Sequence, residues 1–151
     1  MSATIQSQVL DAAVALLNTA GAGMAPMVNA YRTRVEAFEA AQLPAWNVIP
    51  DEGEPDPAKS YSGATAHVFR FCVRCTVSVN NQADKAADPL YAAAVTALLS
   101  DPTLGGLVLF IREGAQKWER DGTAANDNLA LVVTFETEFA TARTNPTVAM
   151  P

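Results

Sequence analysis

The sequence predicts an α+β domain: a mostly antiparallel sheet of four to five strands with two main helices packed on one face. Three observations predict it. Two segments repeat apolar residues at helical spacing, two others alternate them at strand spacing, and turn-rich stretches separate the four. The 151 residues suit one domain, 1–151, with half of them apolar and a mean hydropathy of +0.10. A core of that size needs no disulfide or metal to hold it.

The first helix is read from Ile5, Val9, Ala12, Ala13, Leu16 and Leu17, one stripe along a cylinder. Ser2 or Thr4 is placed to cap its start, and Gly21 and Gly23 to stop it. The stretch has no basic leader and Asp11 interrupts it, so an amphipathic helix explains it better than a secretion signal. Met27 to Phe38 is a strand with imperfect alternation. Leu43 to Ile49 is a short strand bounded by Pro44 and Pro50. From Pro50 to Ala64 the chain holds three prolines, two glycines and four acids, which predicts a mobile loop at about 50–64.

The clearest strand follows. Phe69, Phe71, Val73, Cys75 and Val77 alternate with Arg70, Cys72, Arg74, Thr76 and Ser78, and Asn80-Asn81 ends the run. Asp88 then reads as an N-cap with Pro89 at the first helical position, and Leu90, Ala94, Ala97 and Leu98 form the stripe. Ser100 to Gly106 is a turn whose glycines allow positive φ after the helix. Leu107 to Arg120 starts apolar and ends polar, as a strand extending past the core does. Asp121-Gly122 is a turn signal, and Leu129 to Phe139 alternates again, with Glu136 and Glu138 on the polar side. The tail from about 141 to 151 shows no period and is expected to be loose.

Charge and motifs exclude several classes of function. Net charge is −6 and basic residues form no run, which argues against nucleic-acid grip and against a polybasic membrane anchor. No apolar run is long enough for a membrane span. The Cys72-Val-Arg-Cys75 spacing resembles a redox or zinc pair. On a strand, however, residues i and i+3 face opposite ways, so the two sulfurs can neither bridge nor share a metal. Structural thiols are the main reading, with a Cys72 thiolate activated between Arg70 and Arg74 as the alternative. His67, the only histidine, has no nucleophile motif beside it. The acids of the 50–64 loop lack calcium-loop spacing, and Leu104-Gly-Gly-Leu107 lacks the lysine of a phosphate loop. No catalytic, cofactor-binding or metal-ligating residue emerges, and no cofactor is expected. The low charged fraction, 17%, suggests that partners cover part of the surface.

The order of elements resembles the tail terminator proteins of long-tailed bacteriophages, the minor tail proteins that cap the tail tube. The resemblance is carried by an N-terminal helix, a strand ending in LPAWNVIP and the long strand FRFCVRCTVSV. The helix leading into DPTLGGLV, the strand LALVVTFETEF and the tail TARTNPTVAMP complete it. It spans most of the chain and is one of pattern and order. The resemblance implies a non-enzymatic virion subunit, assembled in the host cytoplasm, that forms a hexameric ring at the head-proximal end of the tail. Implied partners are further copies of itself, the tail tube protein and a head-side connector or stopper, with DNA passing through the ring without specific binding. Interface candidates are Arg112, Lys117, Trp118 and Arg120 on the polar strand extension and Asp51, Glu52 and Glu54 in the acidic loop. Ordinary surface charge is the competing reading for these residues, and core packing for Trp118. Another phage neck protein, a stopper or head–tail completion protein, is the alternative function. A small ligand-binding or enzymatic α+β domain is the alternative of a different class, and it would need a concave pocket with converging polar groups.

Overall fold

The structure, a computed structural model, describes residues 3–79, 82–122 and 127–150. Helix α1 spans Ile5–Ala22 and α2 spans Ala83–Leu99. The strands are β1 (Asn29–Arg32), β2 (Ala45–Pro55), β3 (Ala64–Ser78), β4 (Phe110–Gly122), β5 (Asp127–Ala142) and β6 (Asn145–Met150). They form one six-stranded sheet in the order β1-β2-β3-β5-β4, with β6 also paired to β5. The fold is α+β, as the alternation and the two stripes predict.

α1 begins where expected. The Thr4 hydroxyl accepts from the Ser7 amide at 3.2 Å, and Ile5, Val9, Leu10, Ala13 and Leu17 are buried. Ser2 lies outside the described residues. Gly21 does not stop this helix, because it is buried inside the last turn against the next segment.

β3 is the central strand. Phe69, Phe71, Val73, Cys75 and Val77 are all buried on one face, and β5 meets them with Thr137, Phe135, Val133, Leu131 and Leu129. Phe71 and Phe135 stack with centroids 5.7 Å apart. Both helices cover this face. Trp46 of β2 lies beside Cys75 in register, and its indole N–H reaches the Leu90 carbonyl of α2 at 3.1 Å. The same ring lies next to Gly21 of α1. Among the described residues neither α-helix lies on the opposite face; there the 34–42 segment, with a 3-10 turn at Ala40–Gln42, folds over Asn47 of β2.

Several elements differ from the sequence expectation. The strand at 27–38 shrinks to β1, and it runs parallel to β2, not antiparallel. The next segment bends at Thr33 (φ 48°) and folds back. There the Asn47 side chain takes the Arg34 N–H at 3.0 Å and gives to the Arg34 carbonyl at 2.8 Å. The Arg34 guanidinium stacks over Tyr31 and Phe38 at 5.1 and 4.8 Å. The acidic stretch is not wholly a loop. β2 runs on through Pro50, makes a bulge between Pro50 and Glu52, and pairs with β3 as far as Pro55 and His67.

α2 starts at Ala83, not at Asp88. Ala83 and Ala87 are buried and extend the stripe Leu90–Ala94–Leu98 backward by two turns. Pro89 therefore sits inside the helix. A proline there costs up to about 3 kcal/mol, yet it lies with Lys85 on the exposed side, where water can reach the Lys85 carbonyl it leaves unpaired. Asn80 and Asn81 lie outside the described residues.

After α2, Leu104, Gly105 and Gly106 take φ of 48°, 71° and 90° in succession, and buried Leu104 anchors the turn. β4 ends at Asp121-Gly122, where Gly122 faces Asp127 across the β4–β5 hairpin. The tail is ordered too: β5 extends to Ala142, and β6 adds to it antiparallel, occupying the β5 edge next to the start of β4.

Candidate assembly surface

The face of the sheet away from α1 and α2 is the most distinctive surface of the molecule. Alternation sends Arg70, Cys72 and Arg74 of β3 to this face, and the β3–β5 register sets Glu136 opposite Arg70 and Glu138 opposite Val68. The β2 and β4 registers bring Glu52 and Arg112 alongside. The result is a ladder of opposite charges running across four strands. Arg70 joins Glu52 and, at 2.8 Å, Glu136, with Glu54 at 4.0 Å. Glu136 also binds Arg112, whose guanidinium lies over Phe110 at 5.2 Å. Lys59 closes one end on Glu138 at 2.7 Å.

A second group sits farther along the same face. Glu119 takes both Lys117, at 2.9 Å, and Arg74, at 2.5 Å. The Lys117 hydrogen bond first, and Arg74 second, hold the Glu119 carboxyl below the usual carboxylate range. Pairs this exposed each contribute little to stability. Their effect is to cancel charge locally on a face that would otherwise carry bare carboxylates.

The structure disperses the predicted interface residues. Arg112, Lys117, Glu52 and Glu54 belong to the ladder and its neighbour group. Asp51 lies exposed in the β2 bulge. Arg120 pairs with Asp127 across the β4–β5 hairpin. Trp118 lies opposite Leu131, on the helix side of the sheet, and is 49% exposed at the outer edge. The sequence reading missed Arg70 and Arg74 as members of this surface. Their alternation was visible, but the register that aligns them with Glu136 and Glu119 was not.

The cysteines settle as strand residues. Cys75 is buried beside Trp46, and burial pushes its thiol up to about 12. Cys72 is half-buried on the other face, 3.6 Å from the Thr134 hydroxyl. Burial raises its pKa as well and outweighs Lys117 and Arg74, so the activated-thiolate reading fails. The arginines flanking it in sequence are occupied by carboxylates.

His67 stacks on Phe139 at 5.1 Å, with Nε2 3.1 Å from the Thr141 hydroxyl. Burial lowers its pKa, so the fold holds the neutral ring. The unfolded chain then binds the proton more readily. Stability is retained above the unfolded value of about 6.5 and falls as pH drops through it toward the lower folded value. Wild type is expected to lose more thermal stability than His67→Gln between pH 7.5 and 5.5, read as the difference in Tm. An equal loss in both proteins would remove His67 as the cause.

A cleft of about 370 Å³ is apolar and lies between the end of α1 and the start of α2, lined by Met24, Pro26, Leu43, Pro44 and Leu90 among others. Another of about 330 Å³ adjoins Arg34, Asn47, Arg74 and Glu119, whose polar groups already bind one another or adjacent residues such as Gln42. Among the described residues no helix is long and apolar enough to cross a membrane.

No protein-family profile matches the chain, and no curated protein matches it. Among solved structures it is similar to a chain from the virion of a native gene transfer agent particle, at 17% identity and a TM-score of 0.44, covering 89% of this chain and 92% of that one. At that TM-score the likeness assigns neither a family nor a role.

Proposed function

We propose that the chain is a structural, non-enzymatic virion subunit that closes into a hexameric ring on the head-proximal end of a phage tail tube. There it stops tube growth and presents a surface to a head-side connector or stopper. The observation that carries this reading is the order and character of the elements: a helix, LPAWNVIP, the long strand, the helix into DPTLGGLV, and the last long strand. The geometry is compatible with it. One face of the sheet is covered by α1 and α2, and the other, beyond the 34–42 segment that folds over Asn47, presents charges cancelled in pairs. A surface of that kind suits contact with other protein copies or the wall of a passage, because it holds no unbalanced basic patch to seize phosphates. The acidic excess of each chain, −6, points the same way.

The test is to incubate the purified protein with tail tubes, image the tube ends by electron microscopy, and measure particle mass in solution. Rings seated on tube ends, with tubes that stop elongating, are the expected result. Tubes that keep growing with bare ends at saturating protein would sink the reading.

A further inference from the structure

Apart from the short β6, the sheet has three outer edges among the described residues, and two of them are blocked. On β1, the Asn18 side chain of α1 stands in for a neighbouring strand: it accepts the Ala30 N–H at 2.8 Å and donates to the Ala30 carbonyl at 3.4 Å. On β2 beyond β1, the Thr33 N–H bonds the Val48 carbonyl, so Val48 turns its peptide groups away from β3. By strand alternation Pro50, Gly53 and Pro55, which pair with Phe71, Phe69 and His67, do the same. Two of those three positions are prolines with no N–H to give.

The outer edge of β4 has no such guard. The Val79 N–H bonds the Asp127 carbonyl, so the odd-numbered residues of β5 direct their peptide groups to β3 and the even-numbered ones to β4. Gln116, Trp118 and Arg120, opposite Val133, Leu131 and Leu129, therefore turn N–H and C=O outward. Among the described residues no strand pairs there. An open edge of this length is a template for another strand.

We propose that this edge takes the β4 edge of a second copy, antiparallel, about a two-fold axis through Trp118. Pairing outward residues with outward residues allows only registers two residues apart. Centred on Trp118, Lys117 of each copy faces Glu119 of the other, Gln116 faces Arg120, and the two half-exposed indoles meet. Sliding to the next register sets Lys117 against Lys117 in one direction and Glu119 against Glu119 in the other. One register alone is thus favoured by charge. An isologous contact closes at two copies. It is independent of the ring reading, and in a ring it would join two rings face to face.

Mixing Gln116→Cys with Arg120→Cys protein under mild oxidation is expected to give a disulfide-linked dimer that neither variant forms alone, since facing Cα atoms in such a pair lie about 5.5 Å apart. Lys117→Glu, at a side chain already 68% exposed, is expected to weaken dimerisation about tenfold, because two opposite-charge contacts between copies become like-charge ones, while losing its own exposed contact to Glu119 lowers the Tm only slightly. Sedimentation at graded concentrations reads the effect. A single-chain mass for wild type at every concentration, or cross-linking as strong in either variant alone as in the mixture, would overturn the proposal, whatever the tail-tube experiment shows.

Discussion

Trp46→Ala is expected to lower the unfolding free energy by roughly 3–5 kcal/mol, the range for emptying a buried tryptophan site. Trp46 is fully buried, and its side chain bridges the sheet to both helices at their junction. Its ring lies against Gly21 of α1, its N–H binds the Leu90 carbonyl of α2, and its backbone pairs with Ala30 on one side and Cys75 on the other. Trp46→Phe keeps most of the ring contact and loses the hydrogen bond, so its cost should be smaller, about 1–2 kcal/mol. Denaturant unfolding followed by circular dichroism separates the two. Equal, small losses would mean that the helices do not depend on this anchor.

Gly21→Ala should destabilise the protein by about 3 kcal/mol, against the ordinary rule for helices. Alanine is normally favoured over glycine inside a helix by about 1 kcal/mol. Here an added Cβ would lie 1.9 Å from the Val28 carbonyl oxygen and 2.9 Å from the Trp46 ring. The Val28 oxygen belongs to backbone that is itself tied down, since the Val28 N–H bonds the Gly21 carbonyl at 3.2 Å. Neither side can yield without opening the α1–β1 junction, and overpacking then costs at the upper end of its usual range. Gly23→Ala is the control: its Cβ would meet only the Ala20 carbonyl at 3.7 Å, with φ at −90°. A neutral Gly21→Ala would show that the helix end relaxes freely. The two sites touch, so their combined effect should be less than additive.

Much of the architecture was legible in the residues. The α1 stripe, the alternation of β3 and β5, and the positive-φ turn at Leu104–Gly106 all follow from local pattern. So does the opposed direction of Cys72 and Cys75. The misses share a cause. The stretch Pro50–Pro55 reads as loop by composition, but β3 offers an unpaired edge that holds even prolines and acids in a strand, with Arg70 to receive Glu52. The tail reads as loose, but β5 is long enough to pair with it beyond the start of β4. Asp88-Pro89 reads as a helix start, but burial of Ala83 and Ala87 outweighs the proline. In each case a partner distant in sequence supplied what the segment lacked. The candidate surface was half visible: alternation put Arg70 and Arg74 on one polar face and Glu136 and Glu138 on another.

By itself the sequence determined which residues are apolar and at what period, and therefore the elements, their buried faces and the α+β class. Only the tertiary structure decided register, the parallel β1–β2 pair, the charge ladder, and which edges are closed by Asn18 and by proline. The reason is physical. Periodicity is a property of one segment and survives in isolation, whereas register and edge protection are relations between segments that exist only once both are in place.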